Sequence, residues 1–416
     1  MQLVEQHRID RHDPRWKAID EATFASKNLY NAALFVKRQA YITENHRIIS
    51  YTDLDKLMQK IKEYRALPSK IAQWVLKQVC TAWTSYFAAC QAFEQNPAKF
   101  LGHPKLPNYL GKDGRNLLVY TDQAISRDPK NAGWVVPSGV PIRVQTAHTH
   151  AEIAQVRLIP KSTHYVVEVI YEHPSEPKDV DPALIASMDI GVNNLAAITA
   201  NKPGFVPLLV NGRPLKSLNQ GYNKRRAKLQ TKLSEGIHTS RELEEMTDAR
   251  NRAILSYLHT ASHAIIERLV QEKIGVLVVG KNEFWKQGVN LGKKNNQSFV
   301  FIPHARFIAM LHYKAELVGI HVVTIVESHT SKCSFLDQES IGHHEQYAGA
   351  RIKRGLFRAG NGTLINADVN ASYNILRRYA PDACSQGIAG CILRPIPLPD
   401  RHQDKSKQLP RRKVRK

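Results

Sequence analysis

Apolar residues recur at helical spacing through the first quarter of the chain. From Ile71 to Phe93 they return every three or four residues, and Leu67, Pro68 and Ser69 just before them are typical of a helix start. We therefore expect residues 20–99 to form a helical region.

Residues 100–180 follow a different pattern. Proline and glycine separate short β-rich runs, at residues 153–159 and 165–171, which is typical of a small barrel or sandwich. The cluster of proline and charged residues at 173–179 then predicts a linker. Because a chain of 416 residues can bury at least two cores, a further region is expected from about residue 181.

From there onward, short apolar runs alternate with long helical periodicities. Alternating strands and helices predict a mixed sheet of the RNase H type, covered by helices. In such a sheet the first strand lies beside the fourth and the fifth lies outside the fourth, so their carboxyl ends meet in one crevice. The predicted strands are 183–188, 195–199, 276–279 and 322–326, and the predicted helices are 243–270 and 303–318.

Two aspartates stand at the ends of predicted elements. Asp189 closes the strand 183–188 and precedes Gly191, and Asp368 opens a helix predicted over 371–379. Taken alone, Asp189 could start a turn and Asp368 could stabilise a helix N-terminus. Taken together, an Asp at a strand end and an Asp at a helix start can share a divalent cation such as Mg²⁺, which prefers carboxylate oxygen. We therefore predict a metal site that contains both.

The net charge of the chain indicates which kind of partner it binds. Lys and Arg number 59 against 37 Asp and Glu, which leaves a net charge of 59 − 37 = +22. Such a surplus attracts polyanions through counterion release, so a nucleic-acid partner is expected. No apolar run reaches the roughly 18 residues that span a bilayer, and the N-terminus lacks a signal-peptide core. We expect no membrane association, and a cytoplasmic protein that joins the nucleoid when it binds DNA.

Basic residues concentrate in two places. Five cations fall between residues 224 and 232 on a predicted helix, and we predict that they contact phosphate, although such a run can also be a solvated helix surface. Residues 401–416 carry eight Lys or Arg and almost nothing apolar, which indicates a disordered basic arm. The five predicted contact residues are Lys224, Arg225, Arg226, Lys228 and Lys232.

Several motifs together resemble those of TnpB, the RNA-guided nuclease of insertion sequences that is also known as OrfB transposase and is similar to type V CRISPR effectors. The resemblance spans nearly the whole chain. It rests on Leu29-Tyr30-Asn31, Leu67-Pro68-Ser69, Pro104-Lys105-Leu106-Pro107, Asp189-Ile190-Gly191-Val192-Asn193-Asn194-Leu195, Thr330-Ser331-Lys332 and Asn366-Ala367-Asp368-Val369-Asn370-Ala371-Ser372-Tyr373-Asn374-Ile375.

The resemblance implies an α/β RNase H-like (RuvC) nuclease domain and an N-terminal β-barrel wedge domain with an inserted helical recognition lobe. It also implies two partners, a guide RNA encoded by the element and double-stranded target DNA with a short adjacent motif. In chain order the implied segments are 1–19 (wedge), 20–99 (recognition lobe), 100–180 (wedge and linker), 181–327 (nuclease), 328–364 (target-loading insert), 365–380 (nuclease) and 381–416 (basic tail).

One acidic position of the family is changed in this chain. Members usually carry a Glu at the end of the strand that here ends in Gly280. Glu327, at the end of the next strand, resembles a relocated Glu found in one branch of the family, and its side chain can span much of the strand spacing of about 4.8 Å. Glu283, in the loop after Gly280, is the weaker substitute. We predict Asp189, Glu327 and Asp368 as catalytic residues and as ligands of two Mg²⁺ ions, for which Mn²⁺ can substitute.

The zinc-binding cysteines of the family are also missing. Members commonly carry two C-x-x-C pairs in the target-loading insert, whereas here Cys333 stands alone and His343 and His344 are adjacent, a poor geometry for one tetrahedral ion. The five cysteines of the chain form no C-x-x-C pair. We predict no structural zinc and an insert that is held by short-range packing.

These observations predict an RNA-guided DNA endonuclease that hydrolyses phosphodiesters with divalent metal. Two alternatives stay open. Gly280 could mark a nuclease-inactive, RNA-guided DNA-binding protein, or the chain could be a transposase or a transposase accessory protein. The first alternative predicts capture of DNA without cutting, and a transposase would need a hydroxyl-ended DNA intermediate.

Overall fold

The structure is a computed structural model that describes residues 1–281, 302–384 and 395–398. It divides into two compact units, Met1–His173 and Pro174–Lys416. The division falls at the start of the cluster of proline and charged residues at 173–179. None of the described helices combines the length and hydrophobicity needed to span a bilayer.

The first unit combines an antiparallel sheet with helices inserted between its first two strands. Its strands are β1 (Gln2–Ile9), β2 (Leu118–Thr121), β3 (Trp134–Val135), β4 (Val144–Gln145), β5 (Ile153–Pro160) and β6 (Tyr165–Glu172). Its helices are α1 (Trp16–Thr43), α2 (Tyr51–Met58), α3 (Lys62–Arg65) and α4 (Ser69–Gln95), and α4 begins at the predicted start. The sheet has the order β1–β6–β5–β2, and β3 pairs with β4 in a separate ribbon.

The predicted barrel is not confirmed, because the four-stranded sheet of the fully described first unit is open. Strands β1 and β2 form its two edges, and closure would require these edges to pair. The helices share a core with this sheet. Leu29 of α1 and Val75 of α4 belong to the same buried cluster as Val156 of β5. The sheet therefore buries its apolar side chains against helices and does not curl upon itself.

The second unit is built on a mixed sheet with the strand order β11–β10–β7–β8–β9–β15. Its described strands are β7 (Asp181–Ile190), β8 (Asn194–Ala200), β9 (Leu208–Asn211), β10 (Ile274–Gly280), β11 (His321–Ile325), β12 (Ala350–Lys353), β13 (Leu356–Arg358), β14 (Leu364–Asn366) and β15 (Ile396–Leu398). Its described helices are α5 (Arg213–Gln230), α6 (Arg241–Gln271), α7 (His304–Leu317) and α8 (Ala367–Tyr379).

This strand order confirms the predicted neighbours in the sheet. The first strand, β7, lies between β8 and the fourth, β10, and the fifth, β11, lies outside β10. Strands β7, β10 and β11 are parallel, so their carboxyl ends meet at one edge. Strand β9 was not among the predicted strands.

Side chains alternate between the two faces of the sheet, and helices cover both faces. On one face, Met188 of β7 and Leu277 of β10 share a buried cluster with Leu258 of α6. On the other face, Val278 of β10 packs with Ile375 of α8. The sheet therefore lies between two helical layers.

Buried hydroxyl groups fasten α8 to the sheet. The hydroxyl of Ser187 on β7 donates to the backbone carbonyl of Ser372 at 2.7 Å, and the hydroxyls of Ser372 and Thr199 lie 3.0 Å apart. The helix begins at Ala367, earlier than the predicted 371, because the side chain of Asn366 accepts hydrogen bonds from the first free backbone N–H groups. This start places the first turn of α8 beside the end of β7.

The insert between β11 and α8 carries a three-stranded sheet, β12–β13–β14, and is tied to α8 by two buried amides. The Asn370 side chain donates to the carbonyl of Cys333 at 2.9 Å and accepts from the N–H of Phe335 at 3.0 Å. The Asn374 side chain donates to the carbonyls of Thr330 and Cys333 at 2.9 and 2.8 Å. These hydrogen bonds join residues that are 35 to 44 positions apart along the chain, so they differ from the short-range packing that the sequence predicts.

Gly275 offers a test of the contact between β7 and β10. A Cβ at this position would lie 2.5 Å from the carbonyl oxygen of Asp181 and 2.7 Å from the nitrogen of Pro182. Because both are backbone atoms, we expect Gly275→Ala to lower the free energy of unfolding by about 1–3 kcal/mol, measured by urea denaturation. In the control, Gly342→Ala, the Cβ meets no atom within 4 Å. We expect that variant to change stability by less than about 0.5 kcal/mol, and equal losses in the two variants would contradict the argument.

Candidate active site at the end of the mixed sheet

Asp189 is the penultimate residue of β7, close to the point where the chain leaves the sheet. Burial, followed by the negative charges of Glu327 and Asp368, raises the pKa of Asp189 well above its usual range. The guanidinium of Arg351 opposes this rise. The three predicted acids therefore lie close enough to repel one another, although they are remote along the chain.

Asp368 sits in the first turn of α8, and neighbouring side chains hold both of its carboxylate oxygens. The amide of Asn194, at the start of β8, donates to Oδ2 at 2.8 Å. The guanidinium of Arg351, on β12, donates to Oδ1 at 3.0 Å. The residue thus joins three elements, because β8, β12 and α8 all contribute to its surroundings.

Glu327 follows β11, and its carboxyl group reaches back over the end of β10. Gly280, the last residue of β10, pairs with Ile325, two residues before Glu327. A Cβ at position 280 would lie 2.5 Å from Oε2 of Glu327 and would also collide with the Cδ1 atom of Ile375. The carboxyl oxygen of Glu327 therefore occupies the space where a side chain at position 280 would begin. Burial in this place raises the pKa of Glu327 to about 7.

A cleft of about 620 Å³ opens at this end of the sheet. Asp189 and Asp368 both line it, and so do the cationic residues Arg213, Arg351 and Arg354. Carboxylates can hold divalent cations, and guanidinium groups can pair with phosphate oxygens. This combination of side chains suits chemistry on a phosphodiester.

The donor set suits a hard divalent cation, because it consists of carboxylates whose mutual repulsion a cation would relieve. In the part of the chain that the structure describes, no group of three or more His, Cys, Asp or Glu is already arranged to hold a metal ion. Arg351 provides positive charge next to Asp368 instead. Binding a metal at Asp368 would therefore replace the contact with Arg351 or Asn194.

The predicted nucleic-acid contacts lie on and just after α5. Lys224, Arg225, Arg226 and Lys228 are exposed on the helix, and Lys232 is exposed two residues beyond Gln230. A groove of about 540 Å³ between α5 and α6 is lined in part by Arg225, Lys228 and Lys232. A phosphate contact by these residues stays a prediction. Glu283 and most of the predicted basic tail lie outside the described residues.

Two contributors to the site were missed at the sequence level. Asn194 stands inside the motif that carries Asp189, but nothing in the motif indicated that it would hold Asp368. Arg351 gave no signal, since it lies 17 residues before Asp368 on a short exposed strand. Only the antiparallel pairing of β12, β13 and β14 brings its guanidinium to the start of α8.

The strand order, the helix α8 packed across β7 and β10, and the acids at the strand ends define an α/β fold of the RNase H nuclease class. Comparison with known families agrees with this class. The family model OrfB_IS605, described as a probable transposase, matches residues 167–285, and the model of the Cas12f1-like TNB domain matches residues 304–375. Two segments of the chain are therefore similar to these families, one to the OrfB_IS605 transposases and one to the Cas12f1-like proteins.

Solved structures are similar to this chain, and one of them, with a TM-score above 0.5, shares its fold. The Cas12f1 protein in a complex with sgRNA and target DNA aligns over 86% of this chain and 81% of that chain, with a TM-score of 0.53 and 14% identity. The mini-RNA-guided endonuclease CRISPR-Cas_phi3 aligns over 91% of this chain and 92% of that chain, with a TM-score of 0.47 and 10% identity. No curated protein matches the sequence.

The titration of Glu327 predicts how the stability of the metal-free protein depends on pH. Its pKa of about 7 exceeds the ordinary value of 4.5, so between these values the folded state keeps a proton that the unfolded chain releases. Stability must therefore fall as the pH rises through this window. Relative to the parent, we expect Glu327→Gln to gain up to about 3 kcal/mol between about pH 4.5 and pH 7, measured by urea denaturation in EDTA.

The matched control for this titration is Glu345→Gln, which changes an exposed carboxyl group of the same insert. The difference in stability between Glu345→Gln and the parent should stay flat over the same pH range. A flat difference for Glu327→Gln as well would mean that the Glu327 carboxyl is solvated and does not lie in the place described.

Proposed function

We propose that the protein is an RNA-guided DNA endonuclease of an insertion sequence, which hydrolyses DNA phosphodiesters with divalent metal. The observation that carries this proposal is the position of the Glu327 carboxyl group, which fills the space left by Gly280. A third acid thereby stands with Asp189 and Asp368 at the end of the sheet. The proposed site of action is the nucleoid, where the target DNA lies.

Asp189, Glu327 and Asp368 would hold the metal, with Mg²⁺ as the expected ion and Mn²⁺ as a substitute. Two such ions, when bound, supply the charge that activates water and stabilises the leaving oxygen of a phosphodiester. Asn194 orients Asp368 through its hydrogen bond of 2.8 Å to Oδ2. Arg351 neutralises the same carboxylate before a metal binds, and it remains in the cleft to pair with phosphate.

An RNA guide and a DNA target are supported by the relatives and by the charge of the chain. The similar Cas12f1 structure is a complex with sgRNA and target DNA. The net charge of +22 favours a polyanionic partner. The exposed cations from Lys224 to Lys232 would contact an RNA–DNA hybrid through its backbone, while base pairing with the guide reads the sequence.

A nuclease-inactive binder is the second candidate, and Gly280 is the observation that favours it. A glycine at this position removes the acid that the resemblance leads one to expect there. The position of Glu327 argues against inactivity, because burying a carboxyl group costs free energy. A glutamate that had no function at the end of a strand would be expected to stay in contact with solvent. The transposase alternative is favoured by the description of the OrfB_IS605 model as a probable transposase.

Cleavage by the purified protein with its co-expressed RNA tests the proposal. The substrate is a DNA library in which the target is flanked by randomised sequence. We expect cutting in Mg²⁺ or Mn²⁺ and none in EDTA, with Asp189→Asn and Asp368→Asn each slowing cutting by about a hundredfold or more. The exposed Glu345→Gln should cut like the parent. Capture of DNA by the parent without any cutting would support the inactive binder and overturn the proposal.

Substitutions at positions 280 and 327 test more sharply whether Glu327 is the third metal ligand. Gly280→Ala places a methyl group against the Glu327 carboxyl and Ile375, so we expect it to slow cutting by about tenfold or more while DNA capture is unchanged. Glu327→Ala should be at least as slow. Adding Gly280→Glu to Glu327→Ala returns an acid to the same space and should recover part of the activity.

The outcome that would contradict this assignment is also defined. If Glu327→Ala cut as fast as the parent and Glu283→Ala were inactive, the third ligand would be Glu283. Measuring DNA capture for each variant separates the loss of a catalytic group from the loss of binding.

A further inference from the structure

A shallow groove of about 630 Å³ lies in the first unit, far along the chain from the carboxylates. It is formed by residues of β1, of the turn before α1, and of the β3–β4 ribbon. Its walls combine an aromatic ring with hydrogen-bonding side chains, some of which are acidic and some basic. The lining residues are Glu5, His7, Arg15, Trp134, Gln145, Thr146 and Ala147.

Trp134 supplies a flat apolar surface to this groove. The ring remains 36% exposed, although an indole of this size is usually mostly buried in a folded unit. The guanidinium of Arg143 lies 5.0 Å from the ring centroid. The exposed part of the indole can stack with a planar ring, and the guanidinium places positive charge beside it.

The groups around the ring are held in place by their neighbours. The Arg15 guanidinium donates two hydrogen bonds to Asp13, at 2.9 and 2.7 Å, and one to the backbone carbonyl of Arg143 at 3.1 Å. This contact fixes the backbone just before β4, where Arg143 lies beside Trp134. Gln145 pairs directly with Trp134 across the ribbon, so the two side chains stand on the same side of it.

Glu5 adds a fixed acceptor to the same groove. The Thr146 hydroxyl donates to its Oε2 atom at 2.6 Å, and Nε2 of His7 lies 2.9 Å from its Oε1 atom. A carboxylate offers about four acceptor positions, so lone pairs remain beyond these contacts. An exocyclic amino group at the edge of a base could donate to them.

We propose that this groove binds one unpaired nucleobase, which stacks on Trp134 and turns its edge toward Gln145 and Glu5. The planar ring, the adjacent cations and the polar edge groups match a base whose face is open, whereas the faces of bases in a duplex are covered by their neighbours. The carboxylate of Glu5 favours a base with an amino group, such as cytosine, over uracil. The inference rests on the proposed function only for its expectation of a nucleic-acid partner.

Binding of single strands to the full-length protein tests this inference. The probes are fluorescent cytidine and uridine homopolymers of about 12 nucleotides, as RNA and as DNA. We expect Trp134→Ala to weaken the binding of single strands by about fivefold or more, and Trp134→Phe to keep most of the affinity. The parent should prefer cytidine over uridine by at least about twofold, and Glu5→Gln should reduce this preference.

The matched control is Trp74→Ala, which removes a partly exposed indole of α4 that also lies near a cation, with Nζ of Lys77 at 4.9 Å from its ring. It should bind single strands like the parent. If Trp134→Ala lowers the affinity for RNA but not for DNA, the guide RNA is the source of the base. If it lowers the affinity for both RNA and DNA, the groove recognises the base and not the sugar. Both results support the inference.

Equal affinity of Trp134→Ala and the parent would overturn the inference. If the parent protein nevertheless cuts target DNA, the proposed nuclease function is kept although the base-binding inference has failed. Conversely, if single strands bind through Trp134 but the parent protein never cuts DNA, the base-binding inference is kept and the nuclease function is rejected. Thermal unfolding of each variant confirms that the fold is retained.

Discussion

Electrostatic repulsion among three carboxyl groups is the constraint on which the candidate site depends. Burial disfavours a charge on Asp189 and on Glu327, and the negative charges of Glu327 and Asp368 raise the pKa of Asp189 further. Such a cluster is stabilised when its carboxyl groups are protonated or when a cation lies beside them. In the described residues Arg351 contributes part of that stabilisation through its contact with Asp368. A divalent metal ion would relieve the remaining repulsion between the carboxylates, and it would supply the charge that phosphodiester hydrolysis needs.

The architecture around the cluster serves to hold the acids together against this repulsion. The parallel strands β7, β10 and β11 end at one edge, which brings the chain near Asp189 and Glu327 to the same place. Hydroxyl contacts fasten α8 to β7, and the amides of Asn370 and Asn374 tie the segment after Glu327 to the same helix. The absence of a side chain at position 280 completes the arrangement, because it opens the space that the Glu327 carboxyl enters.

Much of the second unit could be predicted from local pattern, since apolar runs such as 276–279 sit in one buried strand and Asp189 follows a run of the same kind. The predicted barrel of the first unit is not confirmed, since the pattern of β5 and β6 shows that strands exist but not whether the edges β1 and β2 meet. The start of α8 was missed because the capping role of Asn366 outweighed the apolar periodicity that begins later. Contacts of side chains from remote segments, such as Arg351 with Asp368 or Glu327 with Gly280, leave no periodic signal.

The most direct measurement is X-ray diffraction from crystals soaked in Mn²⁺, with data collected to locate the anomalous scattering of the metal. We expect two peaks about 4 Å apart, bounded by the carboxylates of Asp189, Asp368 and Glu327. We also expect the guanidinium of Arg351 to have moved away from Asp368. Peaks that lie elsewhere, or a Glu327 side chain that points away from the other two acids, would contradict this expectation.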